Sequence, residues 1–307
     1  MRPIRALSAF WTLAILSASV TPVAAGGTNG AAFLKIGVGA RPAALGEAFT
    51  AVADDANATV WNPAGLARLP RPEIVGTHTQ WIQSGRHDAL AGAYPTAVGS
   101  FGVSAVTLSY EGIEKRTEDT DAADGTFSSL DAAYTLAYGR PLGDRLSLGM
   151  GLSYIRQTLE GVSAGTPAGS VGALWQSPIF GLTLGAAVRN IGGSIKFSEE
   201  GDPLPTTTAF GAAGRYLNNR LLLSAESRWV RGESPTYGGG IEASPTLYKG
   251  AVGHVRAGYR TDTRDVTDAS GFSLGLGVGF PRLNVDVTWT PTGVLGDTFR
   301  YAVRFIF

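Results

Sequence analysis

From residue 73 to its end the chain alternates apolar and polar side chains with a period of two, and nothing else limits its fold as strongly. Leu130, Ala132, Tyr134, Leu136 and Tyr138 share one parity, against Ser129, Asp131, Ala133, Thr135 and Ala137. Leu146, Leu148, Met150, Leu152 and Tyr154 oppose Ser147, Gly149, Gly151 and Ser153. Phe272, Leu274, Leu276, Val278 and Phe280 oppose Ser273, Gly275, Gly277 and Gly279, and Leu283, Val285, Val287 and Trp289 oppose Asn284, Asp286 and Thr288. An extended strand points successive side chains to opposite faces, so this pattern means strands with one apolar face. A soluble sandwich alternates too. Long segments, aromatics near their ends and a small, hydrophilic second face favour a membrane barrel with a wet or plugged lumen.

Beyond the amino terminus, Gly, Ser, Asp or Arg interrupts every apolar run, which excludes later spanning helices. Twenty-five basic residues balance 25 acidic ones, so the basic stripe of a nucleic-acid binder is missing. The absence of Cys excludes disulfides, thiolate metal sites and Cys nucleophiles. No sequence feature calls for a cofactor.

Residues 1–25 read as a cleaved signal peptide: Arg2 and Arg5, an apolar run from Ala6 to Val20, Pro22, then Val23-Ala24-Ala25. The run is too short to span, so cleavage after Ala25 and export are expected.

The alternation predicts an all-β, antiparallel up-and-down barrel over 70–307. Its 14 strands fall near 73–81, 88–94, 99–110, 127–138, 146–156, 169–176 and 180–189, then 205–216, 221–230, 237–243, 251–260, 271–280, 283–289 and 298–307. Connections after even-numbered strands are mostly tight. Those at 111–126, 157–168, 190–204, 261–270 and 290–297 are longer, as expected of an outer-membrane barrel with short periplasmic turns and long outer loops. In the last segment Phe299, Tyr301, Val303, Phe305 and Phe307 oppose Arg300, Ala302 and Arg304, an aromatic ending that looks like the signal read by the barrel-assembly machinery. Partners implied are outer-membrane lipid and that machinery.

Residues 26–69 leave the pattern. Pro42 is placed to open a helix, and Leu45, Ala48, Phe49 and Val52 form a helical stripe ending near Ala53, with a turn at Trp61-Asn62-Pro63-Ala64-Gly65. This segment is expected inside the lumen as a small helical plug, with Gly275, Gly277 and Gly279 allowing close approach. Lumen-facing polar candidates by parity are Glu226, Arg228, Glu242, His254, Arg256, Asp286, Arg300 and Arg304. Burial requires such groups to pair, meet water or touch the plug. Structural ion pairs are the simpler reading, a selectivity lining the sharper one.

Enzyme signatures are weak. Gly161-Val162-Ser163-Ala164-Gly165 and Gly271-Phe272-Ser273-Leu274-Gly275 match G-x-S-x-G, but neither precedes a helix as a nucleophile elbow must. His78, His87 and His254 have no Ser or Asp partner by spacing, and no zinc or calcium motif occurs. Asn57-Ala58-Thr59 is a formal sequon inside the plug. The chain reads as a non-enzyme.

The stretch from Gly30-Ala31-Ala32-Phe33-Leu34-Lys35 through Ala48-Phe49-Thr50-Ala51-Val52-Ala53-Asp54-Asp55 to Trp61-Asn62-Pro63-Ala64-Gly65-Leu66 resembles the PorV/PorQ family, as do Val188-Arg189-Asn190-Ile191-Gly192, Leu204-Pro205 and Thr292-Gly293-Val294-Leu295-Gly296. That family is related to the FadL long-chain fatty-acid channels, which have 14 strands and an amino-terminal hatch. The resemblance implies that Trp61, Asn62, Pro63, Ala64 and Gly65 are hatch residues. It also implies a role with type IX secretion, receiving or retaining exported cargo at the cell surface. The alternative is a FadL-like channel for a hydrophobic small molecule. A lining mainly of Gly, Ser, Thr and charge favours the first, since a greasy ligand wants an apolar pocket.

Overall fold

The computed structural model describes residues 29–118, 123–178, 181–261 and 271–307. The expected leader at 1–25 and most of the 261–270 connection lie outside them. Strands β1 (Glu73–Gln80), β2 (Arg86–Thr96), β3 (Gly99–Lys115), β4 (Gly125–Leu142), β5 (Leu146–Leu159), β6 (Val162–Gln176) and β7 (Leu182–Gly192) form the first half of a closed barrel. A small hairpin of β8 (Ser194–Ile195) and β9 (Asp202–Pro203) follows. Then come β10 (Thr207–Tyr216), β11 (Leu221–Val230), β12 (Thr236–Ala243), β13 (Val252–Arg260), β14 (Phe272–Gly279), β15 (Leu283–Pro291) and β16 (Asp297–Ile306). The barrel has 14 antiparallel strands, each paired with its sequence neighbour in the barrel. β1 closes it against β16, with Glu73 opposite Ile306 and Gln80 opposite Phe299.

The parity of each strand decides what faces out. In β14 Leu276 is 65% exposed while Ser273 is 3% exposed, and the same alternation runs round the barrel. Exposed Leu, Val, Ile and Met cover the outer wall, and Tyr94, Phe101, Phe280, Phe305 and Phe307 ring one end of it. Such a contiguous apolar belt edged by aromatics is a surface for hydrocarbon, not water.

That aromatic-ringed end carries the connections at 97–98, 143–145, 177–181, 217–220, 244–251 and 280–282 and is here called the turn end; the other is the loop end. Two loop-end expectations need correction. β6 begins at Val162, so 157–168 is a hairpin closed by Glu160 and Gly161, both at positive φ. Likewise β3 and β4 extend to Lys115 and Gly125, taking up both ends of 111–126. These extensions mix polar residues with exposed Leu159 and Val162 and buried Ala164 and Ala168. They pair through groups such as the Thr158 and Ser163 hydroxyls, 2.9 Å apart, so hydropathy does not reveal them.

Residues 29–72 cross the lumen from one end to the other. At the loop end the Asn29 amide donates to the Arg231 carbonyl (3.1 Å), and the Gly30 N–H to the Pro203 carbonyl (3.0 Å). At the turn end the Phe307 N–H donates to the Pro72 carbonyl (3.0 Å). Between these points Leu45, Phe49, Trp61 and Leu66 are buried with the wall residues Val75, Ala91 and Leu222. The apolar core therefore lies inside the barrel, between segment and wall.

The predicted long helix is not there. Helix stops at Ala44 (Ala40–Ala44), because Gly46 and Glu47 adopt left-handed φ of 61° and 59°. A second short helix spans Ala58–Trp61, and a 3₁₀ turn Pro63–Arg68. The reason is tertiary. The Glu226 carboxylate of β11 accepts the Phe49 and Thr50 N–H groups (3.0 and 2.8 Å), which a longer helix would have used internally. The broken turn also lays Leu45 and Gly46 directly on Gly240 of β12 and Gly258 of β13, where a Cβ would come within 2.6 and 2.1 Å of the segment's backbone. Of the three glycines singled out for close approach, only Gly275 meets the segment, at Ala44; Gly277 lies against Asp286 and Gly279 against Asn284 and His254.

Candidate functional site: the lumen and its charge networks

Two ion-pair networks join the inserted segment to the wall. Near the turn end, Arg41 of the first short helix donates through Nε and Nη2 to both oxygens of Glu242 (2.7 and 3.0 Å). The same Glu242 accepts from Arg256 Nε (2.6 Å), and Arg256 Nη1 reaches Asp286 Oδ1 (2.6 Å). Arg41 also holds Asp54 (2.5 Å), whose second oxygen accepts from Arg215. Nearer the loop end, Arg228 Nη1 donates to Glu47 Oε2 (2.8 Å) and its Nη2 to Glu226 Oε1 (3.0 Å). Arg260 contacts the other Glu47 oxygen at 2.5 Å. Planar guanidinium forks suit this sharing, because each can serve two carboxylates at once.

Burial decides how these groups behave. Burial pushes the Glu47 carboxyl up, but Arg260, Arg228 and Arg300 outweigh it and hold it at about 2. Burial likewise raises Asp54, and Arg41 and Arg215 more than reverse it. For Asp55 burial prevails over Arg304 and Arg41, and its carboxyl sits above the ordinary range. Burial alone would lower Arg41, whose guanidinium is instead held well above its ordinary value by Asp54 and Glu242.

The Trp61–Gly65 residues are the hinge of the inserted segment's packing. Trp61 meets Phe49 edge-on with centroids 6.0 Å apart, and its Nε1–H donates to the Val38 carbonyl (2.8 Å). The guanidinium carbons of Arg189 and Arg228 lie 5.0 and 5.3 Å from its ring centroid. Asn62 Nδ2 donates to the carbonyls of Thr50 (2.8 Å) and, on β6, Ala173 (3.2 Å), while Oδ1 caps the 3₁₀ turn through the Ala64 N–H (3.2 Å). Pro63 and Ala64 lie on Gly149 of β5, and Gly65 against the Ala53 carbonyl.

The eight parity candidates do not form one site. Glu226 with Arg228, and Glu242 with Arg256 and Asp286, belong to the two networks. Arg304 stands 3.9 Å from Glu73, and His254 Nδ1 lies 2.9 Å from the Ser244 hydroxyl. Arg300 is buried under the Trp81 ring, 5.6 Å from its centroid. Parity applied evenly would also have found Arg215 on β10 and Arg260 on β13. Glu47 and Asp54, in the inserted segment, carry no sequence signal. Ser163 and Ser273 lie within β6 and β14, and His78 pairs across strands with Asp88 (2.6 Å). Phe299, Tyr301, Val303, Phe305 and Phe307 lie on the outer face of β16, beside β1.

The free space is uneven. At the turn end a polar cavity of about 640 Å³ opens beneath the inserted segment, and one of about 480 Å³ lies beside it. Toward the loop end the spaces are only about 40 and 10 Å³. Among the described residues the free space thus narrows from the turn end toward the loop end.

A plugged 14-strand barrel with this lumen has relatives. Residues 18–224 match the model of an uncharacterised protein family, UPF0164. The chain belongs to UPF0164. No curated protein matches its sequence. Among solved structures, this UPF0164 member is similar to a FadL homologue of Pseudomonas aeruginosa, at 14% identity and a TM-score of 0.55, covering 82% of this chain and 94% of the other. It is also similar to the toluene transporter TodX of Pseudomonas putida, at 10% identity and a TM-score of 0.59, with 82% and 94% covered. At such identity the likeness is one of fold.

Proposed function

We propose that this UPF0164 member is a bacterial outer-membrane barrel, exported by its 1–25 leader, that acts through its loop end as a surface partner for exported proteins, in the manner of the PorV/PorQ family. Its plug is structural, and Trp61–Gly65 anchor it. The observation that carries the reading is the tied-down segment: ion-paired charges join residues 41–54 to β10–β13, and among the described residues the spaces on the loop side are about 40 and 10 Å³. A passage for substrate would have to displace the segment and separate these ion pairs, most of which are buried. The hairpins at the loop end, which expose Leu159 and Val162 among polar residues, offer the partner its surface.

A second reading, a channel for hydrophobic small molecules, draws on one feature. The space of about 40 Å³ is lined by Phe33, Leu34, Ile36 and Val38 on one side and by Thr135, Ser153, Asn190 and Arg189 on the other, a mixed slot with an apolar side. The FadL-type fold is in keeping with it.

Crosslinking in intact outer membranes followed by co-purification separates the two. Recovery of secretion components or secreted cargo, lost when the hairpins at 111–126 and 157–168 are shortened, supports the first. A bound hydrophobic molecule with no protein partner overturns it.

A further inference from the structure

The cavity of about 480 Å³ at the turn end holds an unsatisfied cation. It lies between the plug residues Ala51, Val52 and Arg68 and the wall residues Gln176, Thr183 and Arg215. Arg68 ends the 3₁₀ turn Pro63–Arg68, whose start is clamped by Gly149 and Asn62, so its position is fixed by packing. Its Nη2 is buried and has no hydrogen-bond partner. Arg215 lines the same cavity and shares Asp54 with Arg41, which leaves two guanidiniums facing a single, already divided carboxylate. Burial lowers Arg68, Asp54 opposes that, and the like charge of Arg215 adds to it. The Arg68 Nη2 is shut off from the cavity, so Arg68 and Arg215 meet the space through the remaining parts of their side chains.

The rim points the same way. Arg71, Arg140, Arg145, Arg220 and Arg282 are exposed at the turn end, and Asp144 is the one exposed acidic side chain there among the described residues. A ring of one sign concentrates counter-ions at the mouth of a low-dielectric cleft.

We propose that this cavity is a binding site for a phosphate-type oxyanion, held by the paired positive charge of Arg68 and Arg215 with Gln176 and Thr183 as further donors. A planar guanidinium matches the oxygens of a phosphate, whereas a single ammonium is a point charge. Asp54 is neutralised by its two arginines and sets the side from which the anion approaches. The phosphate belongs either to a soluble ion or ester on the turn side or to the headgroup of a phospholipid in the adjoining leaflet. The site is independent of the partner reading above, because it lies at the opposite end of the barrel.

The test uses full-length protein folded in detergent, with the gel shift between unheated and boiled samples as the check on folding. Inorganic phosphate is titrated by calorimetry, and short-chain phosphatidylglycerol is scored by native mass spectrometry. Wild type is expected to bind at least one of them. Arg68→Gln should weaken that binding about tenfold or more, ~1.4 kcal/mol. Arg68→Lys, which keeps the charge and loses the planar guanidinium, should also weaken it, and it decides the matter if Arg68→Gln does not fold. Arg140→Gln, outside the cavity, should leave it within about twofold. Phosphate binding identifies a soluble ligand, and binding of the lipid alone a headgroup. If neither binds, or if binding survives both changes at Arg68, the proposal is wrong.

Discussion

Single side chains in the lumen act as charge partners first. Glu47 faces Arg228 and Arg260 in a buried setting, so Glu47→Gln removes one carboxylate that the two guanidiniums share, while Arg228 keeps Glu226. The expected loss is about 3 kcal/mol, read as faster protease cleavage within 26–69 in an otherwise folded barrel. Because the folded carboxyl is held at about 2, below its ordinary 4.5, its stabilisation is complete above that ordinary value. It declines as the pH falls from 4.5 toward 2. Plug protection should therefore fall across that window in wild type and stay flatter in Glu47→Gln. Equal pH profiles would mean that the Glu47 carboxylate does not hold the plug. Gly149 makes a steric test of the same contact zone, since a Cβ there would lie 2.2 Å from the Pro63 carbonyl carbon. Gly149→Val should cost about 1–3 kcal/mol through overpacking. Gly151→Ala, whose nearest neighbours are at 3.7 Å, should be tolerated. Similar unfolding midpoints for the two would mean that the plug does not bear on β5.

At the level of elements, strand faces and plug turns obey different rules. A strand's outer face answers to its surroundings, so Leu276→Arg on the outer wall of β14 should destabilise the inserted barrel by ~2–4 kcal/mol near mid-depth. Unfolding in lipid vesicles measures this, with Gly151→Ser as the inward comparison. Gly277 is unsuited to that use because its Cβ would collide with Asp286. Tolerance of Leu276→Arg would place β14 outside hydrocarbon. The plug's helices, by contrast, are set by what surrounds them. Ala40–Ala44 is only 5 residues long, below what is stable alone in water, and owes its place to Arg41 and the Thr288 hydroxyl, which donates to the Ala40 carbonyl (2.7 Å).

For the whole molecule, a ring of 14 strands is too wide for side chains alone to fill, and the chain's own residues 29–72 occupy it. Removing 26–69 exposes Glu226, Glu242, Arg228 and Arg256 to water in an open bore. The barrel should still close through β1 and β16, since their register contains no plug residue. Planar-bilayer recordings should show low conductance for wild type and a large increase for the deletion. Unchanged conductance in a correctly inserted deletion variant would mean that the plug does not limit passage.

Fold class and strand number are legible in the sequence, because alternation is a property of neighbours: Leu274, Leu276 and Val278 face one way whatever lies across the barrel. The aromatic ending at Phe305 and Phe307 is local in the same sense. The inward position of Arg256 or Asp286 also follows from parity, but their partners do not, since Arg41 is more than two hundred residues from Glu242. The short plug helices were not legible either. Residues 42–53 carry a helical stripe, yet Glu226, contributed by a distant strand, takes the N–H groups of Phe49 and Thr50 and ends the helix. Local periodicity thus determined the wall, while the plug's turns, the two charge networks and the cavity beside Arg68 arise only on closure, when strands far apart in sequence supply the buried carboxylates and guanidiniums that the segment must pair with.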